Sequence, residues 1–502
     1  MYMKKESYVM KMNLNIREDH GKNLPTIRIA KIVLNHFKSV RHGEIIMNCG
    51  KKHIPYGTKA DILGIYGQNG SGKTSIIEAI SILKCLMSGD EVPDIYADCI
   101  DVSAEYSELE FTFDVQYPDN NGDYPSNSDI RRVVYSFKLE AVEKDKKPQV
   151  QFIKKSTDDS AQMPSYDKRV RVFDEILQVG GTILGKKTPL KPFLNSTKSE
   201  LTPSTRVRLL LGEITEEKRI DIQVNKKLAS ERSESFLFMD EMMQLYENNG
   251  EYSVYYQLML ELNLYATGFI LVFNSKMNGI VNLSYVLPIA VFGGYIPIDL
   301  TRINVYDDNT LKVITDTVDS ISIVLSAIVP GLQIQTKIGA PTTDEEGIES
   351  HYFELVAVRN GIELPLRCES DGVRKLIATL NSLITAYNQQ SFTIAYDEFD
   401  AGVFEYLLGE ILQVLQTSGK GQLIFTSHNM RPLEVLKKEF VYFTTTDPDN
   451  RYIRLKNLGE TNNLRRVYYR EIALHEHYDN LYNDTKRAQI ISALRKARTE
   501  ME

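Results

Sequence analysis

The sequence has few cysteines, and the four that it has are far apart. They stand at positions 49, 85, 99 and 368, and no two of them form a CxxC pair. Disulfide frameworks and structural zinc sites need cysteines at short, regular spacing. The spacing therefore argues against both and favours a chain that folds in a reducing cytosol.

Long hydrophobic stretches are also scarce. The first residues lack the apolar core of a signal peptide. The uncharged run at 277–298 is long enough to cross a membrane, but it contains three glycines, two prolines and two asparagines. We expect this run to form buried strands joined by turns. The sequence thus predicts a cytoplasmic protein with no membrane partner.

The chain does not have the excess of positive charge that is typical of a polyanion binder. Lysine and arginine number 59 against 67 aspartates and glutamates, for a net charge of −8. Residues 451–502 are locally basic, with 11 basic against 7 acidic side chains. This tail is either a contact for DNA or an acidic partner, or a solvated helix face. We expect the apolar stripe of its last helix (Ile490, Ile491 and Leu494) to dock on the protein's own surface.

One stretch carries a complete nucleotide-binding motif. Residues 67–74 read Gly-Gln-Asn-Gly-Ser-Gly-Lys-Thr, the GxxxxGK[ST] form of a phosphate-binding loop. Such a loop follows a buried strand and opens a helix. Residues 61–66 form a short apolar run, and residues 75–87 carry apolar side chains at helical spacing. The sequence therefore predicts a site for a nucleoside triphosphate with Mg²⁺.

Each residue type in this loop has a chemical task. The glycines let the backbone curl, so that successive N–H groups point at phosphate oxygens. Lys73 is expected to reach the β- and γ-phosphates, and the Thr74 hydroxyl to bind Mg²⁺. The residues predicted to bind the nucleotide are Gly67, Gln68, Asn69, Gly70, Ser71, Gly72, Lys73, Thr74 and Ser75.

Two apolar strands in the last quarter of the chain end in polar residues. Residues 392–396 precede Asp397 and Glu398, and residues 422–427 precede His428. Parallel sheets place such strand ends beside the phosphate loop. We expect Asp397 to bind Mg²⁺, Glu398 to activate the attacking water as general base, and His428 to hydrogen-bond the γ-phosphate.

The order of motifs resembles that of one ATPase family. After the loop and a long insertion come Ser370-Asp-Gly372-Val-Arg-Lys375 opening a helix, then the Asp-Glu pair, then His428, while Asn35-His-Phe-Lys-Ser39 precedes the loop. This series is similar to that of ABC-type ATPases of the SMC and RecF kind, in particular the stand-alone bacterial AAA-type ATP-binding proteins of overcoming-lysogenization-defect and anti-phage defence systems. The resemblance covers about residues 26–155 and 345–460.

The resemblance implies ATP as the nucleotide, Mg²⁺ as the cofactor and a head-to-tail dimer. In that dimer the signature segment of one subunit, with Ser370 and Gly372, closes over ATP held by Lys73 of the other. The residues themselves leave ATP and GTP open, although no NKxD-type guanine motif is evident.

The chain departs from the family pattern at several positions. In the signature, Asp371 replaces a glycine and Val373 a glutamine, and Phe404 stands where an aspartate commonly follows the Asp-Glu pair. Asp400 is a candidate replacement for that aspartate. Gln116, after a predicted strand, is a candidate for the family's Q-loop glutamine.

We therefore expect an α/β P-loop NTPase fold, with an ABC-type nucleotide-binding head, an antiparallel β subdomain and a mainly helical insertion. Local patterns predict hairpins at 27–47 and 353–367, strands at 109–115, 132–139 and 150–153, and helices at 252–265 and from Asn309 to 327. No heptads are sustained, which argues against a long coiled-coil arm. The predicted division is an N-terminal extension at 1–25, head lobes at 26–155 and 346–460, an insertion or lid at 156–345, and a basic tail at 461–502.

Three functions fit these expectations. The first is an ATP-hydrolysing sensor component of an anti-phage defence system that acts with a separate effector protein. The second is a RecF- or SMC-like ATPase of DNA repair or recombination, which predicts binding to DNA. The third is a nucleotide-gated scaffold with little turnover, which the altered signature favours.

Overall fold

The structure is a computed structural model of the 502-residue chain. It describes residues 24–47, 59–101, 103–118, 130–144, 167–183, 186–198, 200–202, 204–249, 254–274, 286–291, 294–343, 349–401, 403–455, 463–474, 481–482 and 487–499.

A mainly parallel sheet carries the predicted motifs. Its strand order is β18-β17-β3-β16-β15-β8, with only β18 antiparallel to its neighbour. The strands are β3 (Asp61–Tyr66), β8 (Ile270–Phe273), β15 (Thr393–Tyr396), β16 (Gln422–Thr426), β17 (Val441–Thr444) and β18 (Tyr452–Ile453). Along β3, Leu63 and Ile65 join one apolar core and Ile62 joins the other. The sheet is therefore covered on both faces, as parallel sheets generally are.

An antiparallel sheet contributes to the first of these cores. Its strand order is β2-β1-β4-β5-β6-β7. The strands are β1 (Thr26–Phe37), β2 (Val40–Ile46), β4 (Ser107–Gln116), β5 (Ile130–Glu143), β6 (Lys168–Ile183) and β7 (Lys186–Asn195). This is the predicted hairpin followed by the predicted meander. The meander strand expected at 150–153 lies outside the described residues.

Two buried polar side chains join β1 to the parallel sheet. The Gln422 amide pairs with the main chain of Ile29, donating to its carbonyl and accepting from its N–H at 2.9 Å each. Arg28, 2% exposed, donates to the carbonyls of Lys59 and Gln390 at 3.1 Å and to that of Lys420. These contacts lie at the starts of β15 and β16, away from the strand ends that carry the motifs.

The second core lies under a smaller sheet and a hairpin. β9 (Val286–Val291) pairs with β10 (Gly294–Asp299), while β11 (Asn304–Asp307), β13 (Glu349–Arg359) and β12 (Leu332–Thr343) form a sheet with β14 (Ile362–Pro365) on β13. The turn between β13 and β14 is the predicted Asn-Gly pair, with φ of 51° and 81°. The antiparallel pairing of β9 and β10 confirms strands in the described part of the uncharged run.

The helices connect and cover these sheets. They are α1 (Lys73–Met87), α2 (Ser204–Leu211), α3 (Glu216–Arg232), α4 (Asp240–Asn249), α5 (Val254–Gly268), α6 (Asp308–Ile328), α7 (Asp371–Asn388), α8 (Glu405–Ser418), α9 (Pro432–Val435), α10 (Leu464–Leu474) and α11 (Arg487–Thr499), with 3₁₀ turns at Asp94–Cys99, Leu366–Cys368 and Lys438–Phe440. Among the described helices, none is both long and apolar enough to cross a bilayer.

Three expectations need correction. The N-cap of α6 is Asp307, whose carboxylate accepts the N–H groups of Asn309 and Thr310, so Asn309 lies inside the helix. The predicted insertion at 156–345 is not one unit, because β6 and β7 extend the N-terminal sheet and β8 pairs with β15. The apolar stripe of α11 is not docked, since its three residues are 43–69% exposed.

A buried acid holds α5 against the antiparallel sheet. Glu261, 6% exposed, accepts hydrogen bonds from the Tyr117 hydroxyl at 2.6 Å and from Gln257 at 2.9 Å. Arg131 donates in turn to the Tyr117 hydroxyl at 2.8 Å. Burial raises the pKa of Glu261 from 4.5 to about 7, and the hydrogen bonds and Arg131 oppose this shift only in part.

The raised pKa makes stability depend on pH. The native state holds the proton of Glu261 more tightly than the unfolded state, so this group's contribution is largest below pH 4.5 and declines as the pH rises to about 7. In the Glu261→Gln variant, we expect the free energy of unfolding to fall by about 3 kcal/mol less over this pH range. Thermal unfolding midpoints at pH 5 and pH 8 test this, because the midpoint of the variant should fall less. Equal shifts in both proteins would show that Glu261 titrates normally.

Candidate functional site

The phosphate loop lies between β3 and α1, as predicted. Asn69 and Gly70 are exposed at its tip, and Ser71 turns inward, where its hydroxyl donates to the Gln68 carbonyl at 2.5 Å. The Lys73 ammonium, 7% exposed, donates to the carbonyls of Gly67 and Gln68 at 2.8 and 3.0 Å. The lysine therefore lies within the curl of the loop, where phosphate oxygens bind in proteins with this motif.

The loop leaves no room for side chains at two of its glycines. A Cβ on Gly67 would lie 1.8 Å from the Thr444 hydroxyl oxygen. Gly72 has a φ of 89°, a left-handed conformation that side chains rarely adopt, and a Cβ there would lie 3.0 Å from Val40. The motif's glycines thus follow from close packing by β2 and β17 as well as from the loop's own curvature.

A hydrogen-bond chain joins the loop to the acidic strand end. The Thr74 hydroxyl donates to Oδ1 of Asp397 at 3.1 Å, and the Thr426 hydroxyl donates to the same oxygen at 2.7 Å. Asp397 is 7% exposed, and 323 residues separate it from Thr74. The two motifs therefore meet, with the order of β3, β16 and β15 placing them.

The next residue, Glu398, points into the open part of the site. Its side chain is exposed, and its backbone is left-handed, with a φ of 52°. Its N–H donates to the Thr426 hydroxyl at 2.8 Å. Non-glycine residues adopt this conformation at a cost, so the surrounding contacts must hold it. The exposed side chain can meet water, as the predicted general base must.

Burial lowers the pKa of Lys73, while the charges of Asp397, Glu398 and Asp400 act in the opposite direction. The lysine thus lies in the field of all three acids. Opposite charges on the two sides of one cleft are suited to a ligand that carries both phosphate and a metal ion.

Asp400 shapes the loop that carries His428. Its carboxylate accepts the N–H groups of His428, at 3.3 Å, and of Asn429, at 3.1 Å. The His428 side chain is exposed at the end of β16, which lies between β3 and β15. Asp400 is therefore a structural link between two strand ends.

A hairpin that the sequence did not reveal holds the loop from the other side. The Tyr452 hydroxyl donates to the Gly72 carbonyl at 2.7 Å, and the Thr444 hydroxyl is hydrogen-bonded to that of Ser71. Arg451, 5% exposed, donates to the carbonyl of Thr445 at 2.6 Å and to that of Ser39. No local sequence pattern indicates this contact, because the hairpin reaches the loop only through the pairing of β17 with β3.

The predicted signature segment begins α7. The Ser370 hydroxyl caps the helix by accepting the N–H of Val373 at 3.4 Å, and Gly372 is half-buried. Lys375 donates to the Glu398 carbonyl at 3.3 Å. The start of α7 therefore lies beside the acidic strand end of its own subunit. Phe404, at the N-cap of α8, is 74% exposed.

Gln116 is not at the site. It pairs with Thr26 at the start of β1, whereas the far end of β1 leads to Ser39, whose hydroxyl lies 3.4 Å from the Gly70 carbonyl. At about 3.3 Å per residue, the length of β1 puts roughly 35 Å between these two ends. The interpretation of Gln116 as a Q-loop residue is therefore wrong. Because β4 runs antiparallel to β1, it ends beside the start of β1, far from the phosphate loop.

The donor set fits Mg²⁺. The Thr74 hydroxyl oxygen lies 3.1 Å from Oδ1 of Asp397, and oxygen ligands of this kind suit a hard cation. Within the described ranges, no three His, Cys, Asp or Glu residues are grouped to hold a metal by themselves. A Mg²⁺ ion here would therefore need further oxygens from phosphate and water.

Fold and site together define the class. A phosphate loop between β3 and α1, with an Asp-Glu strand end and a later strand that leads to a histidine in the same mainly parallel sheet, defines a P-loop NTPase fold.

Comparison with known proteins gives a family match over the first part of the site. Residues 62–173 match the family model described as "AAA domain, putative AbiEii toxin, Type IV TA system". The match includes the phosphate loop and α1, covers 112 of the 502 residues, and ends before Asp397. No curated protein is significantly similar to the chain.

Several solved structures match the chain at low sequence identity and low TM-score. The Smc head domain from Pyrococcus furiosus, bound to the C-terminal domain of ScpA, is 13% identical, with a TM-score of 0.38 and coverage of 90% of this chain and 100% of that one. The SMC head domain from Thermotoga maritima is 12% identical (TM-score 0.33, coverage 86% and 99%). RecF with ATP is 12% identical (TM-score 0.34, coverage 86% and 100%).

The Tyr452 contact yields a prediction about nucleotide affinity. Tyr452→Phe removes the shorter of two hydrogen bonds to the Gly72 carbonyl, which also accepts the Ser75 N–H at 3.3 Å, so we expect ATP binding to weaken roughly three- to tenfold. Titration with a fluorescent ATP analogue measures the effect. The matched control is Tyr442→Phe, because the Tyr442 hydroxyl contacts the main chain of Ile46 and not the loop. Equal affinity in all three proteins would refute a role for the hairpin.

Proposed function

We propose that this protein binds and hydrolyses ATP with Mg²⁺. The observation that carries the proposal is the contact between Thr74 and Asp397, because it joins the two predicted Mg²⁺ ligands across 323 residues. A phosphate loop alone is compatible with many activities. A loop joined to a carboxylate pair at a neighbouring strand end has the parts that hydrolysis needs.

We assign a separate role to each residue of the site. Lys73 binds the β- and γ-phosphates, exchanging its contacts with loop carbonyls for phosphate oxygens. Thr74 and Asp397 hold Mg²⁺, which neutralises charge on the phosphates when bound. Glu398 accepts a proton from the water that attacks the γ-phosphate, and His428 hydrogen-bonds that phosphate. Catalysis is therefore mainly positioning and electrostatic stabilisation.

We further propose a head-to-tail dimer. Ser370 and Gly372 would close over ATP bound to Lys73 of a second copy. Support comes from the position of these residues at the N-terminus of an 18-residue helix, where main-chain N–H groups favour an anion. The exposed Glu398 side chain likewise leaves the site open toward a partner.

The proposed biological role is the sensor and ATPase component of an anti-phage defence system with a separate effector protein. The motif resemblance supports this role, and so does the description of the matching family, which names a toxin and a TA system. DNA repair or recombination is the second candidate. Its support is the exposed basic side chains of α11, Arg487, Arg495 and Lys496, although the net charge of −8 opposes it.

Glu398→Gln tests hydrolysis. The amide accepts no proton, so we expect turnover to fall about 100-fold or more while ATP binding persists. The stalled protein should accumulate as an ATP-bound dimer, which size-exclusion chromatography with light scattering detects. Lys73→Ala is the comparison, since it should lose binding and dimerisation together. A Glu398→Gln protein that hydrolyses ATP at the parent's rate would refute the assignment.

Phage infection tests the role. We expect the full chain, expressed with its chromosomal neighbours in a phage-sensitive host, to reduce plating, and Lys73→Ala to abolish protection because nucleotide binding is lost. Duplex DNA titrations with and without ATP form the second arm. No protection, combined with ATP-dependent DNA binding that weakens steeply with salt, would favour repair over defence.

A further inference from the structure

A lysine at the end of the signature segment, to which no role has been assigned above, contacts the strand end that carries Asp397 and Glu398. Lys375 lies near the start of α7, five residues after Ser370, and its ammonium donates to the Glu398 carbonyl at 3.3 Å. The resemblance to ABC-type ATPases gives no role to this position. The contact joins the helix of the signature segment to the proposed general base within one subunit.

The surroundings of this ammonium are acidic. Lys375 is half-buried, and burial lowers its pKa while Asp400, Glu398 and Asp397 act in the opposite direction. The same three acids act on Lys73. The carboxylates of the site thus have two cationic neighbours, one from α1 and one from α7.

The main chain at Glu398 needs support. Its φ of 52° is a left-handed conformation that a non-glycine residue adopts only at a cost. Three hydrogen bonds hold it: the N–H donates to Thr426 at 2.8 Å, and the carbonyl accepts from the Ala401 N–H at 3.0 Å and from Lys375. Of these, only the Lys375 contact comes from α7.

We propose that Lys375 is a positioning residue that holds Glu398 in its hydrolytic orientation and makes that orientation depend on α7. Ser370 and Lys375 lie on one rigid helix, about 7.5 Å apart along its axis. Closure of the signature segment over a partner's nucleotide would therefore shift Lys375 against Glu398. Each site would then hydrolyse ATP according to whether its own signature helix is engaged.

This inference rests on the proposed ATPase function, and its test separates the two. In the full-length protein we expect Lys375→Met to lower kcat roughly 10–100-fold, the penalty of a misplaced catalytic group, and to leave the dissociation constant for ATP unchanged. Lys375→Arg should restore much of the rate, because it retains a donor. In a Glu398→Gln background, Lys375→Met should lower the residual rate no further.

Lys312→Met is the matched control, since Lys312 is an exposed lysine on α6 and should be silent. Parent-like turnover in Lys375→Met would overturn the proposal. Loss of ATP binding would overturn it too, because Lys375 would then be a nucleotide ligand. An equal further loss in the Glu398→Gln background would show that Lys375 acts independently of Glu398.

Hydrogen exchange provides a measurement that does not need turnover. We expect the peptide that covers residues 397–401 to exchange faster in Lys375→Met than in the parent or in Lys312→Met. If the parent shows no ATP hydrolysis, the proposed function fails. Hydrogen exchange alone then tests whether Lys375 holds the main chain at Glu398. Unchanged exchange in Lys375→Met would overturn the positioning role in either case.

Discussion

One carboxylate oxygen, Oδ1 of Asp397, holds the candidate site together. It accepts hydrogen bonds from Thr74, at the start of α1, and from Thr426, at the end of β16. Because Asp397 itself follows β15, three separate elements meet at this oxygen. A buried carboxylate without such donors would be costly. The arrangement therefore requires β3, β16 and β15 to lie side by side. The site exists only when residues from both ends of the chain have assembled into one sheet.

The phosphate loop is similarly built by distant residues. On one side, the turn between β1 and β2 brings Ser39 within 3.4 Å of Gly70. On the other, Tyr452 and Thr444 bind Gly72 and Ser71. Arg451 joins the two sides by donating to the Ser39 carbonyl. The loop's main chain is thus held by the chain's N-terminal and C-terminal parts together, which explains the close packing around Gly67 and Gly72.

Sequence alone predicted those features that depend on short-range patterns. The loop, its strand and helix, the Asn-Gly hairpin and the strand that ends at Asp397 each carry their own periodicity or turn signal. Tyr452 and Lys375 carry none, because their roles come from contacts across the fold. β8 was missed because a four-residue strand inside a poorly patterned region gains its place only by pairing with β15. Gln116 was misplaced because strand direction, which periodicity does not report, decides which end of β4 approaches the loop.

The altered signature would affect the charge that one subunit of the proposed dimer presents to the other. Asp371 would add a negative charge near a partner's phosphates, but it is ion-paired with Arg374 on the same helix. Arg374 is 8% exposed, whereas the Asp371 side chain lies at the surface. The pair offsets the charge of Asp371 next to the helix N-terminus, which stays suited to an anion. Phe404, at the position where the resembling family commonly has an aspartate, is 74% exposed and offers an apolar side chain there. The departures from the family pattern therefore lie where the proposed dimer would form, and not among the residues proposed to hydrolyse ATP.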